Sequence, residues 1–129
     1  QPGPQNQLGQ IKFMFPNEYA VCMHDTPERA LFAKTARAFS HGCIRVQEPR
    51  ALAAVILDSD GWTRQRIDSQ IESGATLSRT LSEPLPLFVL YWTAEVDDSG
   101  RLHFYPDLYE RDGKALKDQY RVPPHRGPR

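Results

Sequence analysis

The chain has 129 residues, 40% of them hydrophobic, and its sixteen basic and sixteen acidic side chains leave no formal net charge. That length closes one hydrophobic core and leaves little for a second independent domain, while the balanced charge, with no run of Lys or Arg, argues against a nucleic-acid partner. Two cysteines are too few for a disulfide framework and lack the paired spacing of a structural zinc site, and no apolar run approaches the roughly 20 residues that span a bilayer. The start, QPGPQNQLGQ, is polar, without an initiating Met or an export signal, and is expected to be a cut through a longer protein.

From Gly9 to Phe15 the residues Ile11, Phe13 and Phe15 alternate with Lys12 and Met14, the period of a half-buried strand, and Pro16-Asn17 turns the chain. Tyr19 to His24 predicts a second short strand, with Cys22 and His24 on one face and Val21 and Met23 on the other; if the valine face is the core, His24 points out of it. Asp25 or Thr26 can cap a short helix with Pro27 at its first position and Ala30, Leu31 and Phe32 as packing residues. Residues 34 to 39 then read as a loop. Glu48-Pro49 opens a helix with Leu52, Val55 and Ile56 at helical spacing, stopped at Asp58-Ser59-Asp60-Gly61, and Thr63 caps another that carries Ile67 and Ile71 and ends at Gly74. Pro86 to Val96, PLFVLYWTAEV, predicts the strongest strand, and Asp97-Asp98-Ser99-Gly100 turns it into Arg101 to Tyr105. The remainder, from Asp107-Leu108-Tyr109 to the end, reads as surface decoration and a frayed tail. Strands with inserted helices predict an α+β domain with a mixed β-sheet.

The stretch Ser40-His41-Gly42-Cys43-Ile44-Arg45 concentrates the chemistry. A thiolate attacks carbonyl carbon well but is scarce near neutral pH for an ordinary cysteine, whose pKa is about 8.5, so a nucleophilic Cys43 needs an imidazole to take its proton. His41 stands two positions away and His24 lies on a separate strand. A histidine from a neighbouring strand can approach the sulfur side-on, which favours His24 as the base and leaves His41 to shape the site. Gly42 lets a substrate carbonyl approach the main chain, and the N–H groups near Gly42 and Cys43 could hold the oxyanion of a tetrahedral intermediate. Ser40 can hydrogen-bond the loop into shape.

His24, fifteen intervening residues, and then Ser40-His41-Gly42-Cys43 together resemble the signature of the YkuD family of L,D-transpeptidases. The flanking PGPQNQLGQIKF, HDTPERALF and YWTAEVDDSGRLHFYPDLY segments look like the larger proteobacterial branch, so that the likeness covers roughly residues 2 to 112. The resemblance implies the family's α+β catalytic domain over residues 1–115, with strands upstream of the PGP segment lacking, and a tail over 116–129. It also implies attack by Cys43 on the amide between meso-diaminopimelate and D-alanine of a peptidoglycan stem tetrapeptide. A second diaminopimelate amine would resolve the thioester as a 3→3 cross-link. His24 carries over as general base and the backbone carbonyl of Asp25 as the group that orients its ring, with Ser40, Asp25 and Arg45 on the substrate side. Arg45 stands where many members have Asn. By the same resemblance the protein works in the periplasm, forms acyl-enzymes with carbapenems, and needs no metal or organic cofactor.

Cys22 reads as a buried apolar residue, although a Cys22–Cys43 disulfide would inactivate the site. His103 and His125 read as surface residues, Arg37 as a substrate-carboxylate contact or a structural ion pair, and Trp62, Trp92 and the PLFVLYW aromatics as core. Alternatives are an L,D-carboxypeptidase, an idle wall-binding module, and a zinc module built on His24, His41 and Cys43, which lacks a fourth ligand at suitable spacing.

Overall fold

The computed structural model describes residues 6–40 and 42–119, and the chain divides into two compact units between Leu85 and Pro86. In the first unit the alternation read from the sequence is present: Ile11, Phe13 and Phe15 are half-buried, and Lys12 and Met14 exposed. Three very short strands pair there in the order β1-β2-β3: β1 (Lys12–Phe13), β2 (Met23–His24) and β3 (Ile44–Arg45). β1 runs antiparallel to β2, with Lys12 opposite His24, and β2 runs parallel to β3, with Met23 opposite Ile44 and His24 opposite Arg45. Flanking bonds lengthen the ladder: Asp25 N–H donates to the Ile11 carbonyl at 2.8 Å, Ile44 N–H to Cys22 at 2.8 Å and Val46 N–H to His24 at 2.9 Å.

A parallel pair needs a crossover, and residues 25–43 supply it. It contains a 3-10 helix, Arg29–Ala33, which is the short helix expected after Pro27, begun two residues later. The Thr26 hydroxyl accepts from Glu28 N–H at 3.2 Å, at the chain's entry to that turn. The face of β2 carrying Cys22 and His24 is the more buried one, with Val21 and Met23 half-buried. His24 therefore does not point away from the interior. The burial lies on its side because Asp25 and Thr26, which continue the strand into the crossover, are themselves buried around it.

The two helices form as their sequences dictate. α1 (Pro49–Ile56) has proline at its first turn, where a missing N–H costs nothing. α2 (Arg64–Glu72) is capped by Thr63, whose hydroxyl accepts from Arg66 N–H at 3.2 Å. They bury Ala53, Trp62 and Ile67 together, and Ile11 and Phe13 of the β1 region pack against that cluster, which ties the sheet to the helices. Arg66 lies over the Trp62 ring at 4.3 Å from its centroid and Arg79 at 5.4 Å. Val55, expected to pack, is 75% exposed: the buried stripe of α1 runs through Ala53 instead.

The second unit departs further from expectation. Only Ala94–Val96 (β4) of the PLFVLYWTAEV run is a strand, paired antiparallel with β5 (Leu102–Phe104). Among the described residues the stretch before Thr93 has no ladder partner, and Trp92, expected in the core, is 65% exposed. β-propensity without an opposing strand does not make a strand. Residues expected to fray contain α3 (Asp112–Gln119), which runs across the 115/116 boundary. Its start is held by Asp107 Oδ2, which accepts from Asp112 N–H at 2.8 Å. The part of the tail beyond residue 119, with His125, lies outside the described residues.

At the hairpin turn Asp97 Oδ1 accepts from Ser99 N–H at 2.9 Å, Ser99 Oγ at 2.6 Å and Arg101 N–H at 2.9 Å, and Oδ2 faces His103 Nε2 at 2.7 Å. His103 thus has a partner six residues upstream. Donors converging on the carboxylate, the Ser99 hydroxyl first and His103 next, lower its pKa from 3.8 to about 2. A depressed carboxylate stabilises the fold above its unfolded pKa and ceases to do so as pH falls through the folded one. The turn should therefore loosen as pH drops from 3.8 to about 2. Carbon-13 NMR of the Asp97 carboxyl should titrate with a midpoint near the lower value, and His103→Ala should move that midpoint upward.

Candidate active site

β2 and β3 bring the candidate residues together. Opposed residues of neighbouring strands point to the same face, and residues two apart on one strand share it. With His24 opposite Arg45, the position opposite Cys22 belongs to Cys43, and the Cys22 and Cys43 Sγ atoms are 3.3 Å apart. Cys22, His24, Cys43 and Arg45 thus lie on one face, with Cys43 diagonal to His24. Cys22 and His24 are buried, whereas Cys43 and Arg45 are half-buried, so Cys43 is the more accessible sulfur.

The His24 ring is fixed by its own strand: Nδ1 is hydrogen-bonded to the carbonyl oxygen of Asp25. A carbonyl only accepts, so Nδ1 carries the proton and Nε2 is left with the lone pair. The Asp25 peptide is held in turn by the Asp25 side chain, 4% exposed. Oδ2 accepts from Gln10 N–H at 2.9 Å, and Oδ1 from Thr26 N–H at 2.8 Å and from Arg29 Nη2 at 2.5 Å. Arg29 also donates through Nη1 to the Gln47 carbonyl at 2.6 Å, so one guanidinium ties the end of β2 to the residues after β3. Asp25 therefore enters the site through its carbonyl, and its carboxylate is occupied inside the fold. Gly9 sits against that carboxyl with φ +61°, and a Cβ there would overlap Asp25 Cγ.

Ser40 Oγ donates to the Cys43 carbonyl at 2.5 Å and accepts from Gly42 N–H at 3.3 Å. The hydroxyl is engaged in closing the turn, as a loop-shaping residue would be. Gly42 has φ +147°, a conformation that side-chain-bearing residues rarely adopt. Its N–H is used by Ser40, while the Cys43 N–H has no acceptor among the described residues. Of the two amides considered for an oxyanion, that of Cys43 is the one left open. Arg45 Nη2 meets Glu28 Oε2 at 3.4 Å, and its buried Nε has no partner among the described residues. Arg37 donates from Nε to the Lys34 carbonyl at 2.8 Å. His41, expected to shape the site, lies outside the described residues.

Sequence inspection missed Arg29. Its place four residues after Asp25, at the start of the short helix the sequence predicts there, was the available signal, since that spacing can put opposite charges side by side. It read Cys22 as a buried apolar residue and a disulfide with Cys43 as the lesser alternative, because the parallel register that opposes the two is not visible in either strand alone. Among the described residues no three His, Cys, Asp or Glu side chains are grouped as metal ligands would be, and no helix is long and apolar enough to cross a membrane.

The family model described as YkuD, L,D-transpeptidase catalytic domain, matches residues 1–70. That stretch includes all three strands of the first sheet and both candidate catalytic residues. A protein of Haemophilus influenzae named "Putative L,D-transpeptidase" is 37% identical over 112 residues, which are 87% of this chain and 23% of that protein. The chain thus spans about a quarter of the length of this curated relative.

The close packing of Gly9 on Asp25 yields a stability test. Gly61 also has a positive φ, +71°, but open space where a Cβ would stand. Gly61→Ala should cost only the backbone term, about 1–2 kcal/mol. Gly9→Ala must also displace the Asp25 carboxyl, whose charged hydrogen bonds contribute about 1.5–3 kcal/mol each, and should be distinctly more destabilising. Urea midpoints of the two variants compare them directly; equal losses would mean that the Asp25 cradle is not tight.

Proposed function

Because the chain belongs to the YkuD family of L,D-transpeptidase catalytic domains, we propose that it carries the acyl-transfer site of a cysteine enzyme acting on peptidoglycan stem peptides at the cell envelope. The observation that carries this reading is the parallel pairing of β2 and β3. It sets Cys43 diagonal to His24 on one face, while the Asp25 carbonyl holds the His24 ring with Nε2 free to accept.

In this mechanism His24 Nε2 takes the Cys43 proton, and Sγ attacks the carbonyl carbon of meso-diaminopimelate in a tetrapeptide stem. The oxyanion of the tetrahedral intermediate is met by the Cys43 N–H, and removing a donor of that kind typically costs on the order of 10²–10³ in rate. His24 returns the proton to the departing D-alanine amine. A diaminopimelate amine of a second stem then attacks the thioester and regenerates the thiol, giving a 3→3 cross-link. Arg45 supports the reading as a substrate-carboxylate contact, since it lies half-buried on the face shared with Cys43 and its ion pair with Glu28 is long, at 3.4 Å. His41 is the remaining site-shaping residue. Attack by water in place of the amine gives the L,D-carboxypeptidase outcome, and the same thioester would form with carbapenems.

Mass spectrometry of disaccharide-tetrapeptide incubated with the protein should show cross-linked dimer. Trimmed monomer alone would establish the carboxypeptidase, and neither product would sink the proposal. Cys43→Ala should abolish covalent adduct formation with meropenem while leaving circular dichroism unchanged. His24→Ala should slow it by on the order of 10²–10⁴. A larger loss for His41→Ala than for His24→Ala would reverse the assignment of the base.

A further inference from the structure

The second cysteine has no part in the acyl transfer, yet its sulfur lies beside the reactive one. Cys22 Sγ and Cys43 Sγ are 3.3 Å apart, against about 2.05 Å in a disulfide. The two residues stand opposite each other on adjoining strands. Strand spacing of about 4.8 Å falls inside the range of Cα separations, about 4.4–6.8 Å, that a disulfide accepts. Closing the bond requires a small rotation of side chains and no rearrangement of backbone. The two sulfurs also differ in access: Cys22 is 6% exposed and enclosed by the fold, while Cys43 is half-buried at the site.

We propose that Cys22 is a resolving thiol for Cys43, so that a hydroperoxide reaching the site converts the pair into a disulfide that withdraws the nucleophile reversibly. Access sets the order of events. The Cys43 sulfur attacks an oxygen of the hydroperoxide, the O–O bond breaks, and an alcohol departs, leaving Cys43 as a sulfenic acid. The Cys22 sulfur then attacks the Cys43 sulfur; the S–S bond forms, the S–O bond breaks, and the hydroxide leaves with the Cys22 proton as water. In sum, two thiols and one hydroperoxide give one disulfide, one alcohol and one water. Burial, and next the hydrogen bond with Cys43, hold the Cys22 thiol above its ordinary pKa. Cys22 is therefore a poor first target for an oxidant, and it becomes reactive only toward the sulfur already beside it. Without it, the sulfenic acid would proceed to irreversible sulfinic and sulfonic acids.

That the disulfide stops turnover rests on Cys43 being the nucleophile; its formation does not. The full chain should be treated with hydrogen peroxide, alkylated with iodoacetamide and weighed intact, with and without later dithiothreitol. The oxidised wild type should be lighter by two hydrogens, refuse both alkylations, and recover both after reduction. Cys22→Ser, and Cys22→Ala as a second variant in case one folds poorly, should instead gain oxygens on Cys43 that dithiothreitol does not remove. Two thiols still alkylatable in the peroxide-treated wild type, a disulfide-linked dimer of chains, or oxygen gain as fast as in the Cys22 variants would overturn the proposal. Meropenem separates the two readings. An adduct on reduced but not oxidised protein links the disulfide to activity, whereas no adduct on the reduced protein, with the disulfide still seen by mass, counts against the catalytic reading alone.

Discussion

The buried carboxylate of Asp25 is the constraint on which the rest of the first unit depends. Taking a charge to 4% exposure is costly unless donors replace the lost water, and here three do so, from Gln10, Thr26 and Arg29. Each comes from a different stretch: the entry to β1, the start of the crossover, and the 3-10 helix. Charge-assisted hydrogen bonds of this kind contribute about 1.5–3 kcal/mol each, whereas an exposed pair such as Arg64 with Asp68 contributes about 0–1 kcal/mol. The buried set therefore decides the local path of the chain, and the surface pair conforms to it. Gly9 is part of the same device, because only a residue without Cβ allows the main chain so close to the carboxyl.

The consequence for chemistry passes through a single peptide unit. The side chain of Asp25 fixes the position of its own carbonyl, that carbonyl fixes the proton on His24 Nδ1, and the tautomer leaves Nε2 as the basic nitrogen. A base oriented by a carbonyl in place of a carboxylate gains no compensating negative charge when it protonates. Its contribution in the proposed mechanism is therefore orientation and tautomer selection, with a Cys43 thiolate left to stabilise the imidazolium. The catalytic assignment and the fold thus share one cause, and substitutions that disturb Asp25 act on both.

How much of this was legible in the sequence varies with how local the cause is. The Thr63 cap, Pro49 at a helix start, and the alternation of Ile11 and Phe13 with Lys12 are fixed by neighbours within a few residues, and they stand where the sequence placed them. PLFVLYWTAEV reads as a strand on composition, but a strand exists only where another chain segment completes its hydrogen bonds, and only Ala94–Val96 meets one. The candidate site was legible as a spacing, His24 to Cys43, while its geometry was not. The face shared by His24 and Cys43 is created by a parallel register whose two strands are joined through the crossover, and no property of either strand announces it. Cys22 shows the limit most plainly: its sequence allowed both a buried apolar residue and a partner for Cys43, and only the register sets the two sulfurs side by side.

Strands of two residues do not hold a register unaided, and a slip of one residue would turn Cys43 to the opposite face from His24. The protein pins β3 at both ends by side chains that bond to main-chain carbonyls. Ser40 Oγ donates to the carbonyl of Cys43 just before the strand, and Arg29 Nη1 donates to that of Gln47 just after it. These two bonds address specific peptide groups, so shifting the strand breaks both at once, whereas the ladder bonds of a short strand could re-form one step along. The first clamp comes from the turn that carries Cys43 and the second from the Asp25 cluster that holds the His24 ring. The register that puts Cys43 and His24 on one face is thereby tied to the same interactions that hold each residue, which is why so little regular sheet suffices to set it.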